Sequence, residues 1–187
     1  MNKKTVALTI EQYNNIITTI KEGFCGCRVN DRIATALVLE ANLGIRISDI
    51  VKLTLDSIKK DGSRYRFDIV EQKTKKKRTF TIPFAIYQYI ENYCFKNGIA
   101  GNDVIFPITE RAIQKHLKIV CDYLEYNDIS THSFRKYFAT EIYKNNDYDI
   151  VLVQRLLQHA SATTTQKYIG IEPNRIEQAI TTHIALL

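Results

Sequence analysis

The sequence contains few residues that interrupt regular secondary structure. It has three prolines and seven glycines in 187 residues, and no linker, internal repeat or low-complexity tract divides it. Long helices are therefore permitted, and the length suits one domain with a sizeable hydrophobic core. We predict a single domain over residues 1–187.

Long apolar runs are also missing. No segment approaches the roughly 20 residues that span a bilayer, and the N-terminal residues lack an apolar stretch followed by a small-residue cleavage site. We therefore expect a cytoplasmic protein.

The metal-binding residues do not have the spacing of a metal site. Cys25 and Cys27 form a C-x-C pair, whereas common zinc sites use C-x-x-C, and Cys94 and Cys121 are isolated. A cluster of carboxylates for a divalent cation is absent as well. We expect free thiols and no metal.

Positive charge is in modest excess and is concentrated in one place. Lys and Arg number 26 against 20 Asp and Glu, which gives a net charge of +6 and a pI near 9.1. This balance favours a polyanionic partner. The densest basic run consists of Lys73, Lys75, Lys76, Lys77 and Arg78. A run of this kind is usually a solvated turn, so by itself it is weak evidence for nucleic-acid binding.

Hydrophobic periodicity predicts a mainly α-helical chain with a small three-stranded antiparallel sheet. Apolar spacing and capping residues predict helices over 9–22, 30–42, 84–97, 109–126, 132–145, 149–158 and 174–187. The expected caps are Thr9 for the first helix, Asn30 or Asp31 for the second and Thr109 for the helix over 109–126, and Gly44 is expected to end the second helix. Ser48 is expected to cap a further short helix. Alternating and β-branched residues predict strands over 54–58, 64–71 and 77–82. The Asp61-Gly62 turn fits the first hairpin, and the basic run then lies at the tip of the second.

Three positively charged or ionisable side chains lie at predicted helix ends. Arg46 stands in the segment GIRISDI, between the end of one helix and the start of the next. His132 and Arg135 are three residues apart near a helix start, so both project from one face. Free backbone N–H groups favour an anion at that position. Taken singly, these are ordinary surface residues, and Arg46 could simply pair with Asp49.

A second histidine precedes a tyrosine at a fixed interval. His159 lies in LLQHAS, and Tyr168 follows nine residues later, beyond a threonine-rich turn. The ordinary interpretation is a capping histidine and a packed tyrosine, one of 11 in the chain. Together with the arginines and the basic run, however, these residues match the needs of a metal-free phosphodiester transfer. Such a reaction requires charge stabilisation of the phosphate oxygens, an in-line nucleophile and a proton for the leaving oxygen.

These segments resemble the tyrosine recombinase/integrase family, which includes phage integrases and Xer-type recombinases. The matching segments are GIRISDI, QKTKKKRTFTIP, HSFRKYFAT, LLQHAS and TTTQKYIG, and their order and spacing extend the resemblance over about residues 7–170. The resemblance implies the catalytic-domain fold of DNA breaking and rejoining enzymes and a site-specific recombinase activity on double-stranded DNA. One departure is Gln158, since glycine is usual before the histidine.

The resemblance implies how the strand is cut. Tyr168 is expected to attack the scissile phosphate, which gives a 3′-phosphotyrosyl link and a free 5′-hydroxyl. Lys73 is expected to protonate the leaving 5′-oxygen, with Lys75 as the alternative because the register of the hairpin is uncertain. Rejoining conserves the bond energy, so neither a nucleotide nor a metal cofactor is expected.

The remaining matching residues are expected to hold the DNA. Arg46 and Arg135 resemble the pair that grips the phosphate, His132 the general base or positioning group, and His159 the second phosphate ligand. Contacts to the DNA backbone are expected from the basic hairpin, at Lys75, Lys76, Lys77 and Arg78.

The ends of the chain carry expectations about assembly. The segment 174–187 is either packed on its own core or, as in the family, docked on a neighbouring subunit of a tetramer. Family members usually carry an N-terminal DNA-clamping domain, and this sequence begins directly with the catalytic domain. It is therefore either an excised fragment or a short recombinase similar to fimbrial-switch invertases. Without the clamp we expect weak, strongly salt-dependent DNA binding.

Three alternatives remain open at this point. A type IB topoisomerase-like enzyme would use the same groups to relax supercoils. A non-catalytic DNA-binding module of the same fold would have no need of Tyr168. A helical scaffold with chance motifs would bind no DNA at all.

Overall fold

The computed structural model describes residues 5–73 and 75–170. Within these ranges the chain is mainly helical, and one three-stranded sheet interrupts the helices, as predicted. The elements are α1 (Ile10–Glu22), α2 (Asp31–Leu43), α3 (Ile47–Ile50), a 3-10 turn (Leu55–Ser57), β1 (Ile58–Asp61), β2 (Arg64–Val70), β3 (Lys77–Ile82), α4 (Phe84–Asn97), α5 (Glu110–Tyr123), α6 (Thr131–Asn145), α7 (Ile150–Leu157) and α8 (Ala162–Ile169). The predicted helix over 174–187 lies outside the described residues.

Capping side chains define the helix starts that the sequence predicted. The Thr9 hydroxyl accepts the N–H of Gln12, and the Gln12 side chain accepts the N–H of Thr9, which forms a complete capping box. Asn30 and Thr109 likewise accept backbone N–H groups at the starts of α2 and α5. These bonds satisfy donors that a helix start leaves without an intrahelical acceptor.

Some boundaries differ from the prediction. The predicted strand over 54–58 is wrong, because a 3-10 turn occupies Leu55–Ser57 and β1 begins only at Ile58. Ser48 does not cap α3, which starts at Ile47 without a side-chain cap. Helix α5 ends at Tyr123 rather than at residue 126. The largest difference is α8, since the threonine-rich segment before Tyr168 is a helix capped by Ser161 and not a turn.

The sheet is antiparallel with the strands in the order β1–β2–β3. Phe67, in the middle strand, pairs with Ile58 on one side and Phe80 on the other. Phe67 is fully buried, whereas its neighbour Asp68 is exposed. This alternation gives the sheet one apolar inner face and one polar outer face.

The chain divides into two compact units, residues 1–138 and 139–187. In the first unit α2 is buried along most of its length, and α1 and α5 pack their apolar faces into the same core through Ile16, Ile20, Ile113 and Leu117. In the second unit α7 is capped by Asp149, whose carboxylate accepts two backbone N–H groups. None of the helices described combines the length and apolar character required to cross a membrane.

Candidate active site

A glycine turn after α2 organises the first group of site residues. Gly44 ends α2 with φ of 58°, in the left-handed region, and a Cβ atom there would lie 2.2 Å from a ring carbon of Phe138. Only glycine satisfies both conditions. The Gly44 carbonyl oxygen accepts a hydrogen bond from Arg135 Nη1 at 2.6 Å and from Arg78 Nη1 at 3.4 Å. One backbone oxygen therefore orients two guanidinium groups.

Arg46 follows this turn and directly precedes α3. Its side chain is 15% exposed, and its Nη1 lies 2.6 Å from Glu71 Oε2. The structure thus gives Arg46 a different carboxylate partner from the Asp49 considered in the ordinary interpretation. Asp49 Oδ1 instead accepts the backbone N–H of Gln72 at 2.7 Å. Arg46 is a nearly buried residue of a packed cluster rather than a surface residue.

Helix α6 carries His132 and Arg135 on one face, as the spacing predicted. Arg135 is 2% exposed, whereas His132 is exposed. The pKa of His132 lies below its ordinary value, first through partial desolvation and then through the positive charge of Arg135. Lys73 and Arg46 lower this pKa further, and Glu110 acts in the opposite direction. The other three predicted residues of the first unit therefore act electrostatically on His132, and His132 favours its neutral form.

The second hairpin separates its cations into two environments. Lys73, Lys75, Lys76 and Lys77 are exposed, and Lys75 adopts a left-handed backbone conformation at the tip with φ of 56°. Arg78 is 4% exposed and lies 3.4 Å from Glu71 Oε1. Because side chains alternate along β3, Arg78 faces inward like Phe80 and Ile82. Burial and the nearby charge of Arg135 lower the pKa of Arg78 to about 10.

A buried carboxyl on α2, that of Glu40, interacts electrostatically with Arg135. Glu40 is fully buried, and this desolvation raises its pKa well above the ordinary value, although the charge of Arg135 opposes the shift. Burial therefore favours the protonated, neutral form of Glu40. Glu71 lies at hydrogen-bonding distance from Arg46 and Arg78 and supplies negative charge to these two guanidinium groups.

The second unit holds the other two predicted residues. Helix α7 ends at Gln158, which is left-handed with φ of 56°. This conformation gives a physical reason for the glycine usual at that position, since glycine adopts it without steric cost. His159 Nδ1 lies 3.1 Å from the hydroxyl of Thr165, which is fully buried. The His159 and Tyr168 rings meet edge to face, with centroids 5.1 Å apart.

Tyr168 lies in the last turn of α8, which ends at Gly170. Its hydroxyl oxygen is buried. Attack on an external phosphate requires that oxygen to become accessible. Within residues 5–73 and 75–170, no three metal-binding side chains come together as a candidate metal site.

Comparisons with known proteins identify the family of this chain. Residues 7–175 match the phage integrase family. The chain belongs to that family. It is 27% identical to tyrosine recombinase XerC of Caldanaerobacter subterraneus, over 94% of this chain and 50% of the relative. It is 29% identical to the probable integrase/recombinase YoeC of Bacillus subtilis, over 80% of this chain and 83% of that protein.

The fold is also that of the family. A XerH site-specific recombinase, solved bound to a palindromic difH substrate, superposes with a TM-score of 0.70 at 20% identity, over 96% of this chain and 54% of XerH. The chain spans about half the length of XerC and XerH. Both the family resemblance and the fold class predicted from the sequence are confirmed.

The structure places the predicted residues of this family member in two groups. Arg46, Lys73, His132 and Arg135 belong to the first unit, and His159 and Tyr168 belong to the second. Their convergence on one phosphate stays a prediction. Sequence reasoning missed Glu71 and Thr165. The signals that could have found them were an acidic residue two positions before the first lysine of the basic run and a threonine three residues before the tyrosine.

Proposed function

We propose that this chain is the catalytic part of a site-specific DNA recombinase that cuts and rejoins strands through Tyr168. Membership of the phage integrase family supports the reaction class. The observation that carries the proposal is the arrangement at the Gly44 turn, where the Gly44 carbonyl oxygen accepts Arg135 Nη1 at 2.6 Å and Arg46 follows two residues later. The charges of Arg135, Lys73 and Arg46 also add to desolvation in lowering the pKa of His132. Positive charges held in this way suit a dianionic phosphorane-like transition state.

In the proposed cleavage, Tyr168 Oη attacks the scissile phosphorus and forms a new P–O bond. The bond from phosphorus to the 5′-oxygen breaks, and Lys73 or Lys75 transfers a proton to that oxygen. The phenol has an ordinary pKa near 10, so its proton must be removed as attack proceeds. Neutral His132 is a suitable acceptor or positioning group. Rejoining reverses these steps with the 5′-hydroxyl of the partner strand.

The arginines differ from the lysines in what they contribute. A guanidinium offers a planar fork for two phosphate oxygens and stays charged. Arg46 retains some exposure, and Arg135 is oriented by the Gly44 carbonyl, so both are candidates to stabilise the transition-state charge. In the second unit, His159 is the proposed additional phosphate ligand, and Thr165 orients its ring.

Contacts to the DNA backbone are assigned to the exposed hairpin lysines, Lys75, Lys76 and Lys77. Such contacts contribute salt-dependent and sequence-independent affinity. Arg78 was included in this set from the sequence. Its burial beside Glu71 favours a role inside the cluster, so the proposal for backbone contacts rests on the three lysines.

The wider function is inferred from the relatives. XerC and YoeC are described as recombinases, which favours strand exchange over topoisomerase-like relaxation or a non-catalytic module. We propose that the chain acts on double-stranded DNA in the cytoplasm and assembles as a tetramer through residues 174–187. A DNA relaxation assay without a specific site separates the recombinase from the topoisomerase alternative.

A nicked suicide substrate tests the proposal directly. The fragment between nick and cleavage site diffuses away, so the covalent protein–DNA adduct accumulates and is measured on a denaturing gel. Wild-type protein is expected to form the adduct, and Tyr168→Phe, which lacks the attacking oxygen, is expected to form none. Tyr148→Phe, at an exposed tyrosine of the same unit, is the matched control and should behave as wild type. Adduct formation by Tyr168→Phe would contradict the assignment.

A further inference from the structure

The backbone of Glu71 closes the base of the hairpin tip that carries Lys73. Glu71 follows the last residue of β2, and its N–H donates to the Lys76 carbonyl at 3.0 Å. Its own carbonyl accepts the N–H of Lys75 at 2.9 Å. The exposed tip is therefore anchored through this residue.

The side chain of Glu71 joins the same tip to two arginines, the partly exposed Arg46 and the buried Arg78. Oε2 lies 2.6 Å from Arg46 Nη1, and Oε1 lies 3.4 Å from Arg78 Nη1, while Glu71 itself is fully buried. One carboxylate thus bridges two guanidinium groups. Glu71 contacts Arg46 through Nη1, so other donors of that guanidinium can still bind a phosphate.

Neighbouring bonds fix the same two parts of the chain to one another. The backbone N–H of Gln72 donates to Asp49 Oδ1 at 2.7 Å, and Lys52 Nζ lies 2.6 Å from the Gln72 side-chain oxygen. Two successive hairpin residues are therefore tied to the segment that contains Arg46. Lys73 is the next residue along the chain.

Stability alone does not account for this buried arrangement. Removing ionised groups from water is unfavourable, and a buried ion pair is often no more stable than apolar residues of similar size. A carboxylate between two arginines does, however, restrict where each guanidinium can lie. The Glu71 carboxylate therefore determines the position of the Arg46 guanidinium and of the hairpin tip.

We propose that Glu71 is a positioning residue that couples the phosphate-binding Arg46 to the hairpin that carries the leaving-group lysine. The inference rests on the proposed strand cleavage and assigns a role to a residue outside the recognised motif positions. Loss of the carboxylate charge releases Arg46 and loosens the anchor of the tip. Phosphate stabilisation and protonation of the leaving oxygen are then both impaired.

A leaving-group substitution separates these two effects. Two nicked substrates differ in a single atom, oxygen or sulfur, at the bridging 5′ position of the scissile phosphate. With oxygen, the P–O bond breaks and the lysine gives its proton to the oxygen. With sulfur, the P–S bond breaks and a thiolate leaves with the electron pair, so no proton is required. A defect in lysine placement is therefore rescued by sulfur, whereas a defect in arginine placement persists.

The measured quantity is the single-turnover rate of adduct formation at saturating protein. Glu71→Gln is expected to slow cleavage of the oxygen substrate by about 100-fold or more, on the scale of a lost transition-state donor. On the sulfur substrate we expect a recovery of at least tenfold and a residual defect. Lys73→Met and Lys75→Met serve as benchmarks for rescue. An unchanged rate, or an equal loss on both substrates, would overturn the inference.

Further variants distinguish positioning from loss of folding. Glu71→Asp keeps the charge on a shorter side chain and should lie between wild type and Glu71→Gln. Lys52→Met removes an exposed part of the anchor without burying a charge, and a loss of a few-fold that sulfur rescues is expected. If Glu71→Gln does not fold, the inference is tested with Glu71→Asp and Lys52→Met. Wild-type cleavage rates in both variants would overturn the inference.

The controls also separate this inference from the proposed function. Glu91→Gln, at an exposed glutamate bonded to Tyr87, changes the same charge elsewhere and should match wild type on both substrates. If the wild-type protein forms no adduct with either substrate, the proposed cleavage fails and the inference fails with it. If wild type cleaves and Glu71→Gln cleaves equally well, only the inference fails.

Discussion

Adjacent cations of the second hairpin lie in opposite environments. Lys75, Lys76 and Lys77 are exposed to water, whereas Arg78, the next residue, is 4% exposed and bonded to Glu71. The charges of the lysines are surrounded by water, and positive charges at an exposed surface suit long-range attraction of DNA. The arginine belongs to a cluster with fixed geometry. Residues that look equivalent in a basic run therefore have different expected roles. The lysines contribute to DNA affinity, and Arg78 contributes to the geometry of the cluster.

The buried arginine cluster depends most strongly on Gly44, whose carbonyl oxygen accepts hydrogen bonds from Arg135 and Arg78. Gly44→Ala is expected to destabilise the protein by about 3 kcal/mol, because left-handed backbone and overpacking against Phe138 both oppose a side chain there. Gly62→Ala is the matched control, since Gly62 has nearly the same φ, 59°, and a Cβ atom added there would meet nothing within 4 Å. Urea unfolding measures both. Equal destabilisation would show that the contact with Phe138 is unimportant.

The exposed side of the comparison should respond in DNA affinity and not in chemistry. The triple variant Lys75→Gln, Lys76→Gln and Lys77→Gln is expected to bind DNA roughly tenfold more weakly and to lower the slope of log affinity against log salt by about 2 to 3. The cleavage rate of saturated complex should change little, provided that Lys73 is the general acid.

A variant with the same charge change elsewhere provides the control. Lys59→Gln, Lys60→Gln and Lys96→Gln remove three exposed lysines outside the hairpin tip. An equal loss of affinity in both triple variants would mean that only net charge matters. A large loss of cleavage rate at saturation in the hairpin variant would instead point to Lys75 as the general acid.

The pKa of His132 responds both to the exposed Lys73 and to the less exposed Arg46 and Arg135. Its titration is therefore the test with the smallest expected effect. The positive charges of Arg135, Lys73 and Arg46 lower its pKa together with desolvation. Lys73→Gln is therefore expected to raise this pKa, whereas Lys96→Gln should leave it unchanged. An NMR titration of the His132 ring measures the shift. If the pKa of His132 is the same in Lys73→Gln as in the wild type, Lys73 does not interact electrostatically with His132.

The sign of the pH dependence follows from the same shift. An imidazole whose folded pKa is below the unfolded value of about 6.5 contributes stability above that pH, and the contribution is lost as pH falls through the folded pKa. Neutral His132 should likewise persist below pH 6.5. The pKa of His116 is also lowered, by burial, so global stability reports both residues and the ring titration is needed to resolve them.

Much of the fold could be predicted because it depends on local chemistry. Caps at Thr9, Asn30 and Thr109 and the stop at Gly44 need only neighbouring residues, and the structure contains all of them. Helix α8 was missed because three consecutive threonines have low helix propensity, which the Ser161 cap and burial of Thr165 offset. The site residues were predicted from the order and spacing of motifs along the chain. Motif spacing does not specify which side chains are in contact with one another.

By itself, the sequence determined the residue types, their order and the family to which they belong. Only the tertiary structure decided that Arg78 turns inward, that Glu71 rather than Asp49 pairs with Arg46, and that one carbonyl orients two arginines. The physical reason is that an ion pair depends on distance and burial between segments far apart in the chain. Composition and spacing along the chain contain neither quantity.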